Sequence, residues 1–373
     1  MNTKQYNILI INWQDITHPL GGGAEVHAHE IFRRVAAKGH HVTFLCCRYG
    51  GAATSEWIDG MRVIRCGSRN TFNFLVPFVY QKLNRTYNFD IVFDDINKIP
   101  FFTPLFVKKP LIAIVHHFFG KSIFMQASYL QAQYVCQSER LVPFFYRNTP
   151  FAVVSDSTRK ELRDKGISTD IYALPNAVDV QKYSWLHQKE DKPLIGYLGR
   201  LKKYKKIDHL IKALPEIFSH RPDAWCVIIG DGDYKASLIK LVDRLELRDR
   251  VHFTGHVTHK EKVQWLNRLW VAVNPSPKEG WGLTVIEANA CGVPVIASDS
   301  PGLRDSVVHE KTGYLYPYGD LSKMKDYLNM LLDDAELRNK LAVQSRRWAE
   351  SFQWDASADH ALDIIEKITK KQH

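Results

Sequence analysis

The sequence predicts an α/β protein made of two successive doubly wound domains. Three observations predict it. Short β-branched runs alternate with longer helical patterns along the whole chain, which gives parallel sheets covered on both faces. The alternation restarts after a polar stretch at 179–193. And 373 residues are more than one hydrophobic core usually serves.

Taken in order, 6–12 (YNILIIN) reads as a strand and 24–38 as a helix that Gly39 ends. A second strand follows at 41–46 (HVTFLC), then short buried strands at 90–93 and 111–115. The run at 151–154 leads into a helix opened by Thr158-x-x-Glu161, a capping box for the free amides of a helix start. The stretch 179–193 (DVQKYSWLHQKEDKP) is charged, weakly periodic and ends in proline, so it reads as a linker. Strands are then expected at 194–198, 225–229, 251–253, 271–274 and 294–297, with a helix at 207–220. The predicted domains are therefore 1–185 and 186–354. In open α/β sheets ligands bind beyond the carboxyl ends of strands, and two such domains facing each other would form a cleft.

Composition narrows the class. Hydrophobic residues make up 45% and charged residues 24%, which excludes a disordered or collagen-like chain. The opening MNTKQYNILIINW lacks the pattern of a signal peptide. The apolar stretch 99–119 is broken by Lys108, Lys109 and prolines, so no membrane span is expected. The net charge is +10, and residues 1–188 carry 21 Lys+Arg against 14 Asp+Glu, or +7 of it. Such a balance favours phosphate-bearing partners. Cys46, Cys47, Cys66, Cys136, Cys226 and Cys291 form no C-x2-C pair and read as reduced core residues of a cytoplasmic protein.

Four constellations carry chemistry. In Glu279-Gly-Trp-Gly-Leu-Thr-Val-Ile-Glu287, Gly280 and Gly282 let backbone approach a ligand, and the helix that follows offers free amides to a phosphate. Two flanking carboxylates would repel phosphate and so suit hydroxyls, which points to a nucleotide sugar. Second, Gly199-Arg200-Leu-Lys202-Lys203-Tyr-Lys205-Lys206 places five cations in seven residues at a strand end, suited to a diphosphate. Third, Gly21-Gly22-Gly23 lies between the first strand and helix, where backbone amides can cradle an anion or the turn is purely structural. Fourth, His116–His117 end a strand, where histidine bonds a substrate hydroxyl, acts as a base, or is structural. Asp231-Gly232-Asp233 reads as a tight turn rather than a metal site, and Asp94–Asp95 lack the further ligands a metal needs.

In this order the motifs resemble the retaining glycosyltransferases of family 4, which have the GT-B fold. The resemblance runs from GGGAEVH through LPNAVD (174–179), GRLKKYKK (199–206), GDGD (230–233), FTGHV (253–257) and the Glu-x7-Glu block to GYLYPYGD (313–320), nearly the whole chain. The ending FQWDASADHALDIIEKI resembles the family's last helix, which returns over about 355–373 to the first domain. The resemblance implies that 1–185 is the acceptor side and 186–354 the nucleotide-sugar side. It implies that Gly22 and Gly23 meet the donor diphosphate, and that Arg200 and Lys205 neutralise it as it leaves. Glu279 would hold hydroxyls of the transferred sugar, and His116 would approach its 6-hydroxyl. Gly282, Leu283 and Thr284 would meet phosphate, and Glu287 the ribose. Lys206 stands where the family often has Gly, and Trp281 where Phe is common.

The implied reaction moves a hexose from a UDP- or GDP-sugar to a glycan or lipid-linked acceptor with retained configuration, no cofactor and no metal. Front-face attack is expected, with the leaving phosphate taking the acceptor's proton. Aromatic and basic residues mix at 71–87 and 118–147, among them Lys82, Arg85, Lys121, Arg140 and Arg147. That mixture suits either an anionic membrane surface on the cytoplasmic side or core aromatics with solvated cations. No nucleic-acid-binding module is present. The alternatives are a sugar-nucleotide 2-epimerase of similar architecture and a catalytically silent polysaccharide-binding subunit.

Overall fold

The computed structural model describes residues 4–97, 99–125 and 127–371. The chain divides into two compact units. One runs to Asn176 and takes back the chain from Trp354 onward; the other spans Ala177–Gln353.

The first unit is built on an eight-stranded sheet. Its strands are β1 (Asn7–Ile11), β2 (His41–Cys47), β3 (Ser55–Ile58), β4 (Met61–Cys66), β5 (Ile91–Ile96), β6 (Leu111–Val115), β7 (Phe151–Val153) and β8 (Ile171–Ala173), in the order β3-β4-β2-β1-β5-β6-β7-β8. All neighbours are parallel except the hairpin β3–β4. The central strands β1, β5 and β6 are almost wholly buried, which is why they read as unbroken apolar runs rather than alternating ones. The helices are α1 (Gly23–Ala37), α2 (Phe72–Tyr87), α3 (Tyr129–Phe145) and α4 (Asp156–Asp164). The cap of α4 lies three residues before the expected box: the Ser155 hydroxyl accepts the Thr158 amide.

The second unit holds a six-stranded parallel sheet. Its strands are β9 (Leu194–Leu198), β10 (Trp225–Ile229), β11 (Val251–Gly255), β12 (Val271–Asn274), β13 (Val295–Ser298) and β14 (Gly313–Tyr316), ordered β11-β10-β9-β12-β13-β14. Around it lie α5 (Ile207–His220), α6 (Lys235–Arg244), α7 (His259–Arg268), α8 (Leu283–Ala290), α9 (Leu303–Ser306), α10 (Leu321–Asp333) and α11 (Ala335–Glu350). In each sheet the strand order reverses beside the first strand, so the loops after β1 and β9 stand at the switch points where open α/β sheets bind ligands.

The last helix, α12 (Trp354–Lys370), belongs to the first unit and packs on α1. It buries Trp354, Ala358, Ala361, Ile364, Ile365 and Ile368. Arg34 Nε lies 2.9 Å from Asp355, and the Ser357 hydroxyl donates to Pro175 O at 2.9 Å. Residues 372 and 373 of the expected returning helix lie outside the described residues.

The stretch 179–193 is not a free linker, and the units divide before it, at Asn176 rather than at 185. Tyr183 is buried and its carbonyl accepts Arg346 Nη1 at 2.7 Å. Asn267 clamps the next residues, accepting from Leu186 N at 2.7 Å and donating to Ser184 O at 2.8 Å. Low periodicity hid these anchors because they are single aromatic and backbone contacts, with no repeating face. Among the described residues no helix is long and apolar enough to cross a membrane.

Candidate active site

In the second unit the chain leaves β9 through Gly199 and Arg200. Leu201 N donates to Asp231 O at 2.9 Å, tying this loop to the one after β10. A 3-10 turn, Lys203–Lys205, then swings Lys205 toward Glu279. Its Nζ donates to both carboxylate oxygens, at 2.6 Å to Oε2, and each side chain is only 15% exposed. Burial pulls the ammonium toward neutrality, but the adjacent Glu279 charge and hydrogen bond outweigh it and raise the Lys205 pKa. Arg200 is exposed and near enough to Lys205 to oppose that rise.

Lys206 caps α5 in the left-handed region, with φ 55° and ψ 35°. A glycine would sit there without strain, so the departure at this position keeps the backbone and changes only its cost.

Glu279 is held at the end of its loop by its own amide, which donates to Pro301 O at 3.0 Å. Gly282 precedes α8 with φ 94°, and a Cβ there would lie 2.5 Å from the Ser306 hydroxyl. Only glycine fits that turn, for two separate reasons. Leu283 and Thr284 form the first turn of α8, whose leading amides have no partner within the helix. Trp281 packs edge-on against Phe352, centroids 4.7 Å apart, so this aromatic anchors the loop.

Further along α8, Glu287 is buried and held apart from the Lys205–Glu279 pair. Its Oε1 accepts both the Tyr183 hydroxyl at 2.6 Å and Lys262 Nζ at 2.7 Å. Burial and the Glu287 charge push the Tyr183 phenol well up, so it stays a donor. Neither partner was singled out in the sequence. Tyr183 lay in the presumed linker, and Lys262 looks like any surface lysine of an amphipathic helix.

Asp231 and Asp233 face cations of the chain itself. Asp231 accepts Gly232 N at 2.7 Å and Lys235 Nζ at 3.4 Å, and Asp233 accepts Lys202 Nζ at 2.7 Å.

In the first unit, α1 begins at Gly23, where an added Cβ would meet nothing within 4 Å. Packing therefore does not demand glycine at 23. The Gly22 amide is already taken: it donates to Glu25 Oε2 at 2.6 Å. Glu25 is itself buried, and burial raises its pKa.

His116 follows β6 and is 6% exposed. Its Nε2 lies 3.0 Å from Asp95 Oδ1, and Asn12 Nδ2 donates to Asp95 Oδ2 at 2.9 Å. Burial lowers the imidazole pKa, but Asp95 and Glu25 together carry it above the ordinary value. The neighbouring His27 goes the other way, lowered to about 3 by burial and by the charge of His116. Asp94 points to the opposite face of β5, where it accepts from Thr103 and Tyr146 at 2.5 Å each, and burial raises it to about 6. In the sequence the two aspartates are too few for a metal, yet their position carries a signal: two acids inside a buried strand need partners.

Residues 21–182 match the family described as Glycosyltransferase Family 4, and residues 180–348 match Glycosyl transferases group 1. A D-inositol 3-phosphate glycosyltransferase of Jonesia denitrificans is 34% identical over 186 residues, 47% of this chain and 43% of that protein. A GDP-mannose-dependent monoacylated alpha-(1-6)-phosphatidylinositol monomannoside mannosyltransferase of Corynebacterium glutamicum is 30% identical over 214 residues, 52% of this chain and 55% of that one. The chain thus spans about half the length of the curated relatives it matches. Among solved structures, sucrose-phosphate synthase from Thermosynechococcus elongatus superposes with a TM-score of 0.82 at 22% identity, covering 98% of this chain and 100% of that one. HepE of Anabaena, in complex with UDP and glucose, gives 0.78 at 18% identity, covering 97% and 100%.

Proposed function

The chain belongs to the family 4 glycosyltransferases and has the GT-B fold, and on that premise we propose that it moves a hexose from a UDP- or GDP-sugar to a glycan or lipid-linked acceptor. The observation that carries this reading is the Lys205–Glu279 pair beside the amide turn of α8. It sets a cation for phosphate and a carboxylate for sugar hydroxyls next to a helix start suited to an anion.

In this reading Arg200 and Lys205 stabilise charge on the leaving diphosphate, and Gly282, Leu283 and Thr284 meet its oxygens through backbone amides. Glu279 holds the transferred sugar and Glu287 the ribose. Gly23 lends a further amide, and His116 meets the 6-hydroxyl. The Gly22 amide could join only if it left Glu25. The acceptor attacks from the face the phosphate leaves, the phosphate takes its proton, and configuration is retained. The aspartates of 231–233 are matched by lysines, which supports a reaction without a divalent ion.

The acceptor is proposed to be held at an anionic membrane surface. On α2, Phe72, Val76, Tyr80 and Leu83 are buried, whereas Phe74 and Phe78 are 66% and 72% exposed. On α3, Tyr129, Leu130, Leu141 and Phe144 are exposed too, near Arg140 and Arg147. Exposed aromatic groups close in sequence to exposed cations suit a bilayer interface.

Incubation with a panel of nucleotide sugars tests the function. Release of a nucleoside diphosphate from one donor, increased by a lipid-linked or glycan acceptor, is the expected result. No release from any donor would overturn the assignment.

A further inference from the structure

The first unit carries a buried polar network that the proposed transfer leaves unexplained. Asp95 is wholly buried in β5, yet both its oxygens are engaged: Oδ1 accepts His116 Nε2 at 3.0 Å and Oδ2 accepts Asn12 Nδ2 at 2.9 Å. The carbonyl of His116 is fixed separately, accepting the Thr158 hydroxyl at 2.8 Å. His27 lies edge-on to the His116 ring, centroids 5.0 Å apart, and its own Nε2 donates to Leu174 O at 2.9 Å. So β5, α1 and, through Asp95, the residue after β1 constrain one imidazole, while α4 holds the main chain of the same residue. A buried carboxylate is costly to retain, and a histidine needed only for packing does not require one.

We propose that Asp95 is a positioning residue for sugar transfer: it locks His116 through Nε2, so that Nδ1 is the ring atom offered to the transferred sugar. The proposal rests on the functional reading above. Asn12 fixes the second oxygen of Asp95 and thereby its rotamer. The charged and titratable groups facing the ring are Asp95 from β5 and Glu25 and His27 from α1. Asp95 and Glu25 favour a protonated ring, and His27, neutral at ordinary pH, does not oppose it. With Nε2 committed to Asp95, Nδ1 is the ring atom left to meet an oxygen at C6 of the sugar.

A double-mutant cycle with a nucleotide-sugar donor tests this. Asp95→Asn keeps the shape and removes the charge. It should lower kcat/KM about 10- to 100-fold, as expected for a lost hydrogen bond to a charged group. In a His116→Ala background the same change should cost less than about twofold, because Asp95 then has nothing to position. Equal losses in both backgrounds, or no loss in either, would overturn the proposal. Should Asp95→Asn fail to fold, Asn12→Ser reads the same coupling, with a smaller loss that also vanishes beside His116→Ala. The imidazole titration, followed by NMR on the protein without substrate, gives a second readout. The His116 pKa must fall in Asp95→Asn, and an unchanged titration overturns the proposal whatever the kinetics. If the unaltered protein turns over no nucleotide sugar, the functional reading fails, and the titration still decides whether Asp95 sets the state of His116.

Discussion

Lys205 and Glu279, 74 residues apart in the chain, close on each other so that one ammonium serves both oxygens of one carboxylate. In the proposed reaction both groups have other partners, phosphate for the lysine and sugar hydroxyls for the glutamate. A donor would therefore exchange one compact ion pair for two separate contacts. The pair keeps two groups of opposite charge together in a poorly solvated place, where either alone would be costly.

The first prediction concerns charge on the leaving group. Replacing Arg200 and Lys205 together by Ala should remove most turnover, since one preorganised charge-stabilising group is worth about 2.7–4 kcal/mol. Lys205→Ala alone should also destabilise the protein, because it leaves Glu279 unpaired, whereas exposed Arg200→Ala should not. Steady-state kinetics and denaturant melts check the two halves. Near-normal turnover in the double variant removes these residues from the mechanism.

Activity should persist in excess EDTA after dialysis. The carboxylates of Asp231 and Asp233 are engaged by Lys235 and Lys202, and a metal would have to displace both lysines. Full loss of activity, restored by manganese or magnesium, would show that the reaction needs a divalent ion and that the 231–233 turn is a candidate for holding it.

Phe74→Ser with Phe78→Ser should weaken sedimentation with phosphatidylglycerol vesicles without changing stability by more than about 0.5 kcal/mol, as expected of exposed positions. Binding by the unaltered protein should fall as salt rises, since roughly 1 kcal/mol per well-placed cation is screened. If the unaltered protein does not bind even at low salt, a soluble acceptor replaces the lipid-linked one.

Much of this fold is legible in the sequence because its central strands are buried on both faces. Runs such as LIAIV and LIGYL announce themselves without any alternation. The edge strands β3 and β8 are not legible that way, since exposure breaks their apolar pattern, and β4 between β3 and β2 alternates buried and half-buried residues instead of running apolar throughout. The same asymmetry governs the candidate site. Glu279, Lys205 and Gly282 stand in short, dense motifs at strand ends. Tyr183, Lys262, Asn12 and Asp95 act through single contacts between elements distant in the chain, as in Asn12 to Asp95 across 83 residues. No local pattern encodes such a pairing; only the sheet order that sets β1 beside β5 does.

Lys206→Gly should leave activity unchanged and raise stability slightly. The left-handed backbone at φ 55° costs a non-glycine residue about 1–2 kcal/mol. Glycine relieves that cost but gives back about 0.4–1 kcal/mol through the greater freedom of the unfolded chain. A net gain of up to about 1 kcal/mol should appear as a higher denaturant midpoint. A lower midpoint would mean that the Lys206 side chain itself contributes to the loop.

The last prediction separates the two glutamates. Glu279 precedes the α8 turn and pairs with Lys205, while Glu287 lies within α8 and is held through Oε1 by Tyr183 and Lys262. That leaves Oε2 of Glu287 for a ribose hydroxyl and places the two acids in different surroundings. A hydrogen bond to a charged group is worth about 1.5–3 kcal/mol, so each loss should cost roughly ten- to a hundredfold. The penalties should fall on different quantities. Glu279→Gln should reduce turnover and discrimination between sugars while leaving affinity for the free nucleoside diphosphate nearly unchanged. Glu287→Gln should weaken the free nucleotide and the whole donor alike, and Lys262→Met should follow it in part, by releasing Oε1. Calorimetry with the free diphosphate, beside steady-state kinetics with the donor, reads both. If Glu279→Gln weakened the free nucleotide as much as Glu287→Gln did, sugar and ribose could not be assigned to separate acids, and the pairing with Lys205 would have to be read as a structural strut of the β9 loop.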